Sequence, residues 1–303
     1  MPIKKDSSKV ENNSFLHLEN IYKQYGDKVI LDDIDLSVSQ GEFLTVVGPS
    51  GCGKSTMLRL ILGQELPTSG MLNFLNQPIG FSDTKRGVVY QRYSLYPHLT
   101  VLENVTLGKK LELGTLGTLF SPSKKREIND SAIELLGRMS LAGHEDKYPH
   151  ELSGGMQQRV AIAQALIMRP KILLMDEPFG ALDPGTRENM QILILEIWEE
   201  SNMTIFFVTH DLEEALFLGT RIIVLSQFFT DSRGETLQRG ARIVADYKLK
   251  DKVLSTHVKA SENFGKFIEH LRQEGFDPDY LQHAKDFNLK HPDSFQTLSE
   301  NES

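Results

Sequence analysis

The chain has 303 residues, 40% of them hydrophobic and 24% charged, with a formal net charge of −8. That length accommodates about two domains with substantial cores. The acidic balance argues against a sequence-independent nucleic-acid binder, which normally presents a basic face, so no nucleic-acid partner is expected. One cysteine, Cys52, excludes an internal disulfide and removes any need for an oxidising compartment.

Residues Met1 to Asn13 are polar and charged, without the apolar stretch of a secretory signal. No run approaches the roughly 18 apolar residues that span a bilayer. A soluble, cytosolic chain is expected, and any work at a membrane would go through a partner.

After this polar lead, Phe15 to Tyr25 and Lys28 to Val38 read as strands joined by a Gly26-Asp27 turn. Phe43 to Val47 then runs into a glycine-rich loop, and Lys54 to Leu62 reads as the helix that follows. Short apolar runs recur at Gly87 to Tyr90, Ile172 to Met175, Thr204 to Val208 and Ile222 to Leu225, with amphipathic stretches such as Arg187 to Ser201 between some of them. Strands alternating with helices predict an α/β fold with a mainly parallel sheet covered on both faces. From about Leu99 to Met168 the periodicity is helical, interrupted at Gly114, Gly117 and Ser121-Pro122, which predicts an inserted helical subdomain. Near Thr230 the pattern changes again: turns at Arg233-Gly234 and Arg239-Gly240, then helices over Ser255 to Glu274 and Asp279 to Asn288. The expected division is a lead over 1–14, a main domain over 15–229 with its helical part at about 99–168, and a partly helical C-terminal extension over 230–303.

Gly48-Pro49-Ser50-Gly51-Cys52-Gly53-Lys54-Ser55 fits the phosphate-binding pattern G-x-x-x-x-G-K-[ST] at every required position. Its glycines let successive backbone N–H groups face an anion, and the helix starting at about Lys54 adds the positive end of its dipole. Lys54 can reach the β- and γ-phosphates, and the Ser55 hydroxyl can ligate Mg²⁺. Ile172 to Met175 is a buried-type strand ending in Asp176 and Glu177. Strand ends of a parallel sheet face the ligand crevice, so these carboxylates are expected beside the phosphate loop. There Asp176 would hold Mg²⁺ and Glu177 would act as general base toward water.

Leu152-Ser153-Gly154-Gly155-Met156-Gln157-Gln158-Arg159 resembles the signature sequence of ABC ATPases. Seven motifs of that family stand in its order over roughly residues 15 to 228: Tyr25, Gly48 to Thr56, Gln91, Ser153 to Gln157, Asp176-Glu177, Ala181-Leu182-Asp183 and His210. The resemblance implies a P-loop NTPase core with an N-terminal antiparallel β subdomain and an inserted helical subdomain, the ABC ATPase fold, using ATP and Mg²⁺. It also implies roles. Tyr25 stacks on adenine, and Gly48 through Thr56 hold the phosphates, with Cys52 at a variable position that carries no chemistry. Gln91 contacts Mg²⁺ or the attacking water and opens the segment that touches a membrane partner. His210 hydrogen-bonds the γ-phosphate. Ser153, Gly154, Gly155 and Gln157 act on ATP bound to a second copy of the chain, toward which Asp183 also points, so two nucleotides would be sandwiched in a two-fold dimer.

Tyr148-Pro149-His150-Glu151-Leu152-Ser153 and Phe179-Gly180-Ala181-Leu182-Asp183 are similar to bacterial importer ATPases, and Thr209 to Ala215 to the nitrate, sulfonate and taurine group. Three features depart from that group: Tyr96-Pro97-His98, Gln164, and the lack of a Pro-Gly turn after Ser226. The partners implied are a second ATPase subunit, integral membrane permease subunits and, indirectly, a solute-binding protein, with the chain peripheral on the inner face of the cell membrane. An exporter ATPase and a soluble assembly-scaffold ATPase are the alternatives left open. His257, His270, His283 and His291 lack metal-ligand spacing and read as surface or packing residues.

Overall fold

Alternating burial along Leu16–Tyr25 (β1) and Lys28–Val38 (β2) makes one face of an antiparallel hairpin apolar, and that face must find a partner layer. The computed structural model describes residues 15–92, 94–114, 122–233, 239–249 and 262–297. The lead over 1–14, Gly117, Ser121 and Gly234 lie outside the described residues. Two strands that the sequence pattern does not announce, Ser69–Phe74 (β4) and Gln77–Pro78 (β5), complete the layer in the order β2-β1-β4-β5.

The partner layer contains Phe43–Val47 (β3), Arg86–Val89 (β6), Ile172–Asp176 (β7), Thr204–Val208 (β8) and Arg221–Ser226 (β9). β3, β8 and β9 are buried at every position, as strands covered on both faces must be. These five strands pair in parallel in the order β9-β3-β8-β7-β6. Lys54–Leu62 (α1) lies between this sheet and the antiparallel layer, in a core that includes Leu18, Leu31, Leu44, Met57 and Ile61. On the other face the chain forms Val101–Glu112 (α2), Pro122–Arg138 (α3), Gly154–Leu166 (α4) and Pro184–Ser201 (α5), packed around Val105, Leu136, Ile162, Met175 and Ile194. The described residues from 99 to 168 contain no strand.

The C-terminal segment departs from expectation. Arg242–Lys248, read from sequence only as following a turn, is a strand that pairs antiparallel with β9. With Phe229–Thr230 as β10, it is β11, buried from Arg242 through Tyr247. Glu262–Phe276 is a helix that follows Leu212–Leu218 (α6) in chain order and is α7; the first part of the predicted Ser255 to Glu274 helix lies outside the described residues. Asp279 to Asn288 is not a helix. It forms the short strands Gln282–His283 (β12) and Asn288–Leu289 (β13) around a 3₁₀ turn at Ala284–Asp286. Pairing of β12 with β10 and β13 with β11 supplies the backbone partners that a helix would have supplied, so tertiary pairing overrides local periodicity. The large sheet therefore has seven strands, β13-β11-β9-β3-β8-β7-β6.

Arg221, fully buried, locks this edge. Its guanidinium donates to both oxygens of Asp246 at 2.8 and 2.6 Å and to the Ser37 carbonyl at 2.7 Å. Beyond it, His291 accepts from the Asp293 N–H at Nδ1, 3.1 Å away, and faces Glu42 through Nε2 at 3.4 Å. Arg221 thereby joins β9 and β11 to β2, and His291 holds the described C-terminal residues against Glu42, which precedes β3.

Candidate functional site

The phosphate loop exists because β3 ends where two close approaches admit only glycine. A Cβ on Gly48 would sit 2.1 Å from the Leu225 carbonyl oxygen. Gly53, the N-cap of α1, has φ 107°, and a Cβ there would press on Leu31 and Ile30 of β2 at 2.8 and 2.9 Å. The Lys54 side chain, nearly buried, curls over the loop and donates to the carbonyls of Gly48 at 2.7 Å and Pro49 at 3.0 Å. Pro49, Ser50, Gly51 and Cys52 complete the turn; Cys52 faces inward, and burial raises its thiol pKa.

Three neighbouring strand ends converge beside this loop. From β7, Asp176 accepts a hydrogen bond from the Ser55 hydroxyl; burial raises its pKa, the Ser55 bond opposes the shift, and the Glu177 charge adds to it. Glu177 follows immediately with φ 46°, unusual for a residue with a side chain. Its N–H is bonded to the Val208 carbonyl of β8 at 2.9 Å. The Glu177 carboxylate meets Gln91, which follows β6, at 3.2 Å from Nε2, and His210, which follows β8, at 3.1 Å from Nδ1. Gln91 and His210, far apart in the chain, thus share one oxygen, Oε2 of Glu177. Lys54, Ser55, Asp176, Glu177, Gln91 and His210 form one constellation, with the oxygen-rich donor set of a magnesium site at Ser55 and Asp176.

Sequence motifs did not single out the polar group behind His210. Thr209 donates to Glu214 Oε2 at 2.6 Å, and Gln191 of α5 donates to Oε1 at 3.0 Å, with all three residues buried. Burial raises the Glu214 pKa, and the two hydrogen bonds oppose that rise. Glu214 is also held through its N–H by Asp211, the N-cap of α6, at 3.1 Å. The only sequence-level signal was a glutamate on the inward face of a short apolar helix.

The remaining predicted residues sit apart from this constellation. Ser153 caps α4 by accepting from the Met156 N–H at 3.3 Å, so the N–H groups of Gly154 and Gly155 open the helix. Gln157 donates to the Leu152 carbonyl at 3.2 Å, inside its own turn. Among the described residues, no hydrogen bond joins Ser153 to Gln157 with the phosphate loop or the acidic pair. Buried Gln158, which the motif contains but no role singled out, donates to the Tyr90 carbonyl at 3.3 Å and so ties α4 to the residue preceding Gln91. Asp183 is the N-cap of α5, accepting from the Thr186 N–H at 3.0 Å; hydrogen bonds from the Thr186 side chain first, and then from its backbone, hold the Asp183 carboxyl below the usual range. Leu182 beside it packs on Gly155. Tyr25, at the end of β1, is half-exposed and donates its phenol hydrogen to Glu65. Thr56, the second residue after Lys54, accepts from Arg59 at 3.2 Å.

A cleft of about 980 Å³ opens elsewhere, between α2, α3 and the starts of β7 and β8, lined by Lys109, Lys124, Arg138, Lys171 and Asn202. It lies at the opposite strand ends from Asp176 and Glu177 and has no part in the constellation. A smaller groove of about 280 Å³ runs between β6 and α4, lined by Val88, Tyr90, Ala161 and Gln164.

Comparison with known proteins extends this geometry. Residues 31–180 match the ABC transporter family. The chain is 44% identical over 231 residues to the nitrate import ATP-binding protein NrtD of Synechococcus elongatus, covering 75% of this chain and 82% of that protein. It is 41% identical over 211 residues to the taurine import ATP-binding protein TauB of Yersinia pestis, covering 70% and 79% respectively. Among solved structures it is similar to the ATP-binding cassette MJ0796 in a dimeric post-hydrolysis state bound to ADP and Pi. There the TM-score is 0.64 with 33% identity over 78% of this chain and 100% of that one.

Proposed function

The chain belongs to the ABC transporter family and is an ATPase subunit of it, and from that premise we propose how its residues divide the work and what they drive. The observation that carries the assignment is the Glu177 carboxylate, held between Gln91 and His210 at the mouth of the phosphate loop.

ATP phosphates are read as lying on the N–H groups from Gly48 to Thr56, with the Lys54 ammonium transferred from the loop carbonyls to the β- and γ-phosphates. Ser55 and Asp176 fit Mg²⁺, with Gln91 close by; when bound, that ion neutralises phosphate charge. Glu177 takes a proton from water as its oxygen bonds to the γ-phosphorus. The bond to the β,γ-bridging oxygen breaks, and ADP leaves with the electron pair. His210 and Gln91 hold the water and the carboxylate in register, which requires the 3 Å spacing already present. In a dimer, Ser153, Gly154, Gly155 and Gln157 would cover the γ-phosphate held by the partner, with Asp183 directed toward that site. Support comes from the dimeric cassette this chain is similar to and from the capped but unallied start of α4.

The work driven is read as solute import of the nitrate, sulfonate and taurine type through separate permease subunits, with a solute-binding protein delivering cargo. The names of the relatives support this. No described helix is long and apolar enough to cross a membrane, so attachment to the inner face of the membrane would come through the permease. Nucleotide chemistry is assigned to 15–229, and 230–303 to bracing it.

Glu177→Gln tests the assignment. The variant should bind ATP within about twofold of the parent while turnover falls by about 100-fold or more, leaving an ATP-bound dimer that elutes early on size exclusion. Hydrolysis at the parental rate would remove Glu177 as the base.

A further inference from the structure

The ring of Tyr25 is attached to the rest of the molecule by a small charged cluster that no motif contains. Its phenol donates to Glu65, and the Glu65 carboxylate is gripped from two sides, by Lys23 Nζ at 3.1 Å and Arg59 Nε at 2.9 Å. Arg59 Nη2 also lies 3.4 Å from the Tyr25 oxygen and donates to Thr56 Oγ1 at 3.2 Å. Lys23 Nζ, anchored on the Leu66 carbonyl at 2.9 Å, stands 4.8 Å from the centroid of the Tyr25 ring.

Each of these contacts does something to the ring. A half-exposed tyrosine at a strand end can rotate about two side-chain torsions, and a ligand stacking on it must pay for stopping that rotation. A hydrogen bond from the phenol to a fixed carboxylate stops it in advance. The Lys23 ammonium covers one face of the ring, leaving the opposite face for a planar ligand. Arg59 connects the cluster to Thr56, the last residue of the phosphate loop, so the ring stands at a set offset from the phosphates. Burial pushes the Glu65 pKa up, but hydrogen bonds from Tyr25 and Lys23 and the Arg59 charge pull it below the usual carboxylate range, keeping the acceptor ionised.

We propose that Glu65 is a positioning residue for the nucleobase: it fixes the Tyr25 ring, at a distance from the phosphate loop set through Arg59 and Thr56, so that the base stacks on the ring face opposite Lys23. This rests on the reading of Tyr25 as the base platform. Glu65 touches no nucleotide atom itself; it acts through the ring.

The test is nucleotide affinity measured on the full chain with ATP and, separately, with inorganic triphosphate, which has no base. Tyr25→Ala should raise the Kd for ATP about tenfold or more through the lost stacking partner. Glu65→Ala and Tyr25→Phe remove the same hydrogen bond from opposite ends, and each should raise it about three- to fivefold. The Tyr25→Phe/Glu65→Ala double variant should be no weaker than either single one, because the bond can be lost only once. Glu65→Gln, which keeps an acceptor, should recover most of the affinity. All variants should bind triphosphate as the parent does, and KM should rise in Glu65→Ala while kcat at saturating ATP holds. If Tyr25→Ala leaves ATP affinity unchanged, the platform reading itself falls. An effect of Tyr25→Ala with none of Glu65→Ala overturns the positioning role alone. Additive losses in the double variant, or weakened triphosphate binding by Glu65→Ala, overturn it as well, because Glu65 would then act on the loop and not through the ring.

Discussion

Glu214 keeps a carboxylate in the interior with two neutral donors, Thr209 and Gln191, as its side-chain partners. Thr209 immediately precedes His210, and its N–H is bonded to the Val46 carbonyl of β3 at 3.1 Å. Holding both the side chain and the backbone of Thr209 leaves His210 little freedom, which is what a histidine at 3.1 Å from Glu177 needs. Glu214→Ala would strip both donors of their acceptor. The expected cost is about 2–4 kcal/mol of unfolding free energy, from unpaired buried polar groups. Turnover should fall more than ATP affinity does, since the displaced group serves the chemical step. A variant with unaltered urea midpoint and unaltered kcat would show that the Thr209–Glu214–Gln191 group is incidental. Nothing in the residue types alone identifies this group: a glutamate in the first turn of a helix is usually a solvated, dipole-favouring residue.

At the scale of elements, the phosphate loop rests on two supports, and one short segment touches both. Gly48 lies against the carbonyl of Leu225 in β9, and Leu225 pairs with Ile243 of β11. Gly53 lies against Ile30 and Leu31 of β2. Ala241 accepts from the Asp32 N–H at 3.0 Å and donates to the Ile30 carbonyl at 2.8 Å, so residues 241–243 buttress each end of the loop from behind. Arg233 adds a two-pronged bond to Asp32 at 3.2 and 2.6 Å, and Arg242 pairs with Asp33 at 3.0 Å. Gly240 is packed so closely that a Cβ would stand 2.8 Å from Val29 and 2.9 Å from the Leu31 carbonyl carbon. Gly240→Val should therefore cost about 1–3 kcal/mol by overpacking and weaken ATP binding as β2 shifts under Gly53. Thermal denaturation with and without ATP measures both effects. An unchanged melting temperature would mean that β2 yields freely and braces nothing.

For the whole molecule, the C-terminal segment is part of the architecture rather than a separate appendage. β11 and β13 extend the main sheet, and α7 packs Phe267, Ile268 and Leu271 into a core shared with Leu216 of α6 and Val224 of β9. Tyr247 in β11 donates to the buried carboxylate of Glu274 in α7 at 2.8 Å, which fixes helix against sheet. At the other edge, among the described residues, β6 ends the sheet beside the groove lined by Tyr90 and Gln164. On the import role proposed above, the chain would pass its closure to a permease, so tagged chain purified from detergent-solubilised host membranes should bring down a polytopic membrane protein at comparable stoichiometry. Recovery from the soluble fraction alone, with no such partner, would leave the ATPase assignment standing and remove the transport coupling.

The same molecule separates what local sequence can decide from what it cannot. The turn from β3 into α1 at Gly48 to Ser55 was legible because it is contiguous: each residue type answers to a backbone or side-chain requirement within one turn of chain. Buried strands such as Phe43 to Val47 and Thr204 to Val208 were legible for the same reason, since five residues with four apolar side chains among them, one threonine apart, have few other uses. The order of the motifs, from Tyr25 to His210, carried the family. The failures lie where partners are distant. Arg242 to Lys248 carries charges at Arg242, Asp246 and Lys248 around only three successive apolar residues and looks like loop until β9 supplies its hydrogen bonds, and Asp279 to Asn288 has helical spacing until β10 and β11 capture it. The sequence by itself determined the nucleotide-binding chemistry and the α/β class, because those depend on residue types at short spacing. Only the tertiary structure decided that Glu177 meets both Gln91 and His210, that Gln191 of α5 reaches Glu214, and that Glu65 holds Tyr25. Each is a contact between segments that chain order leaves apart and that only packing of the sheet brings within hydrogen-bonding distance.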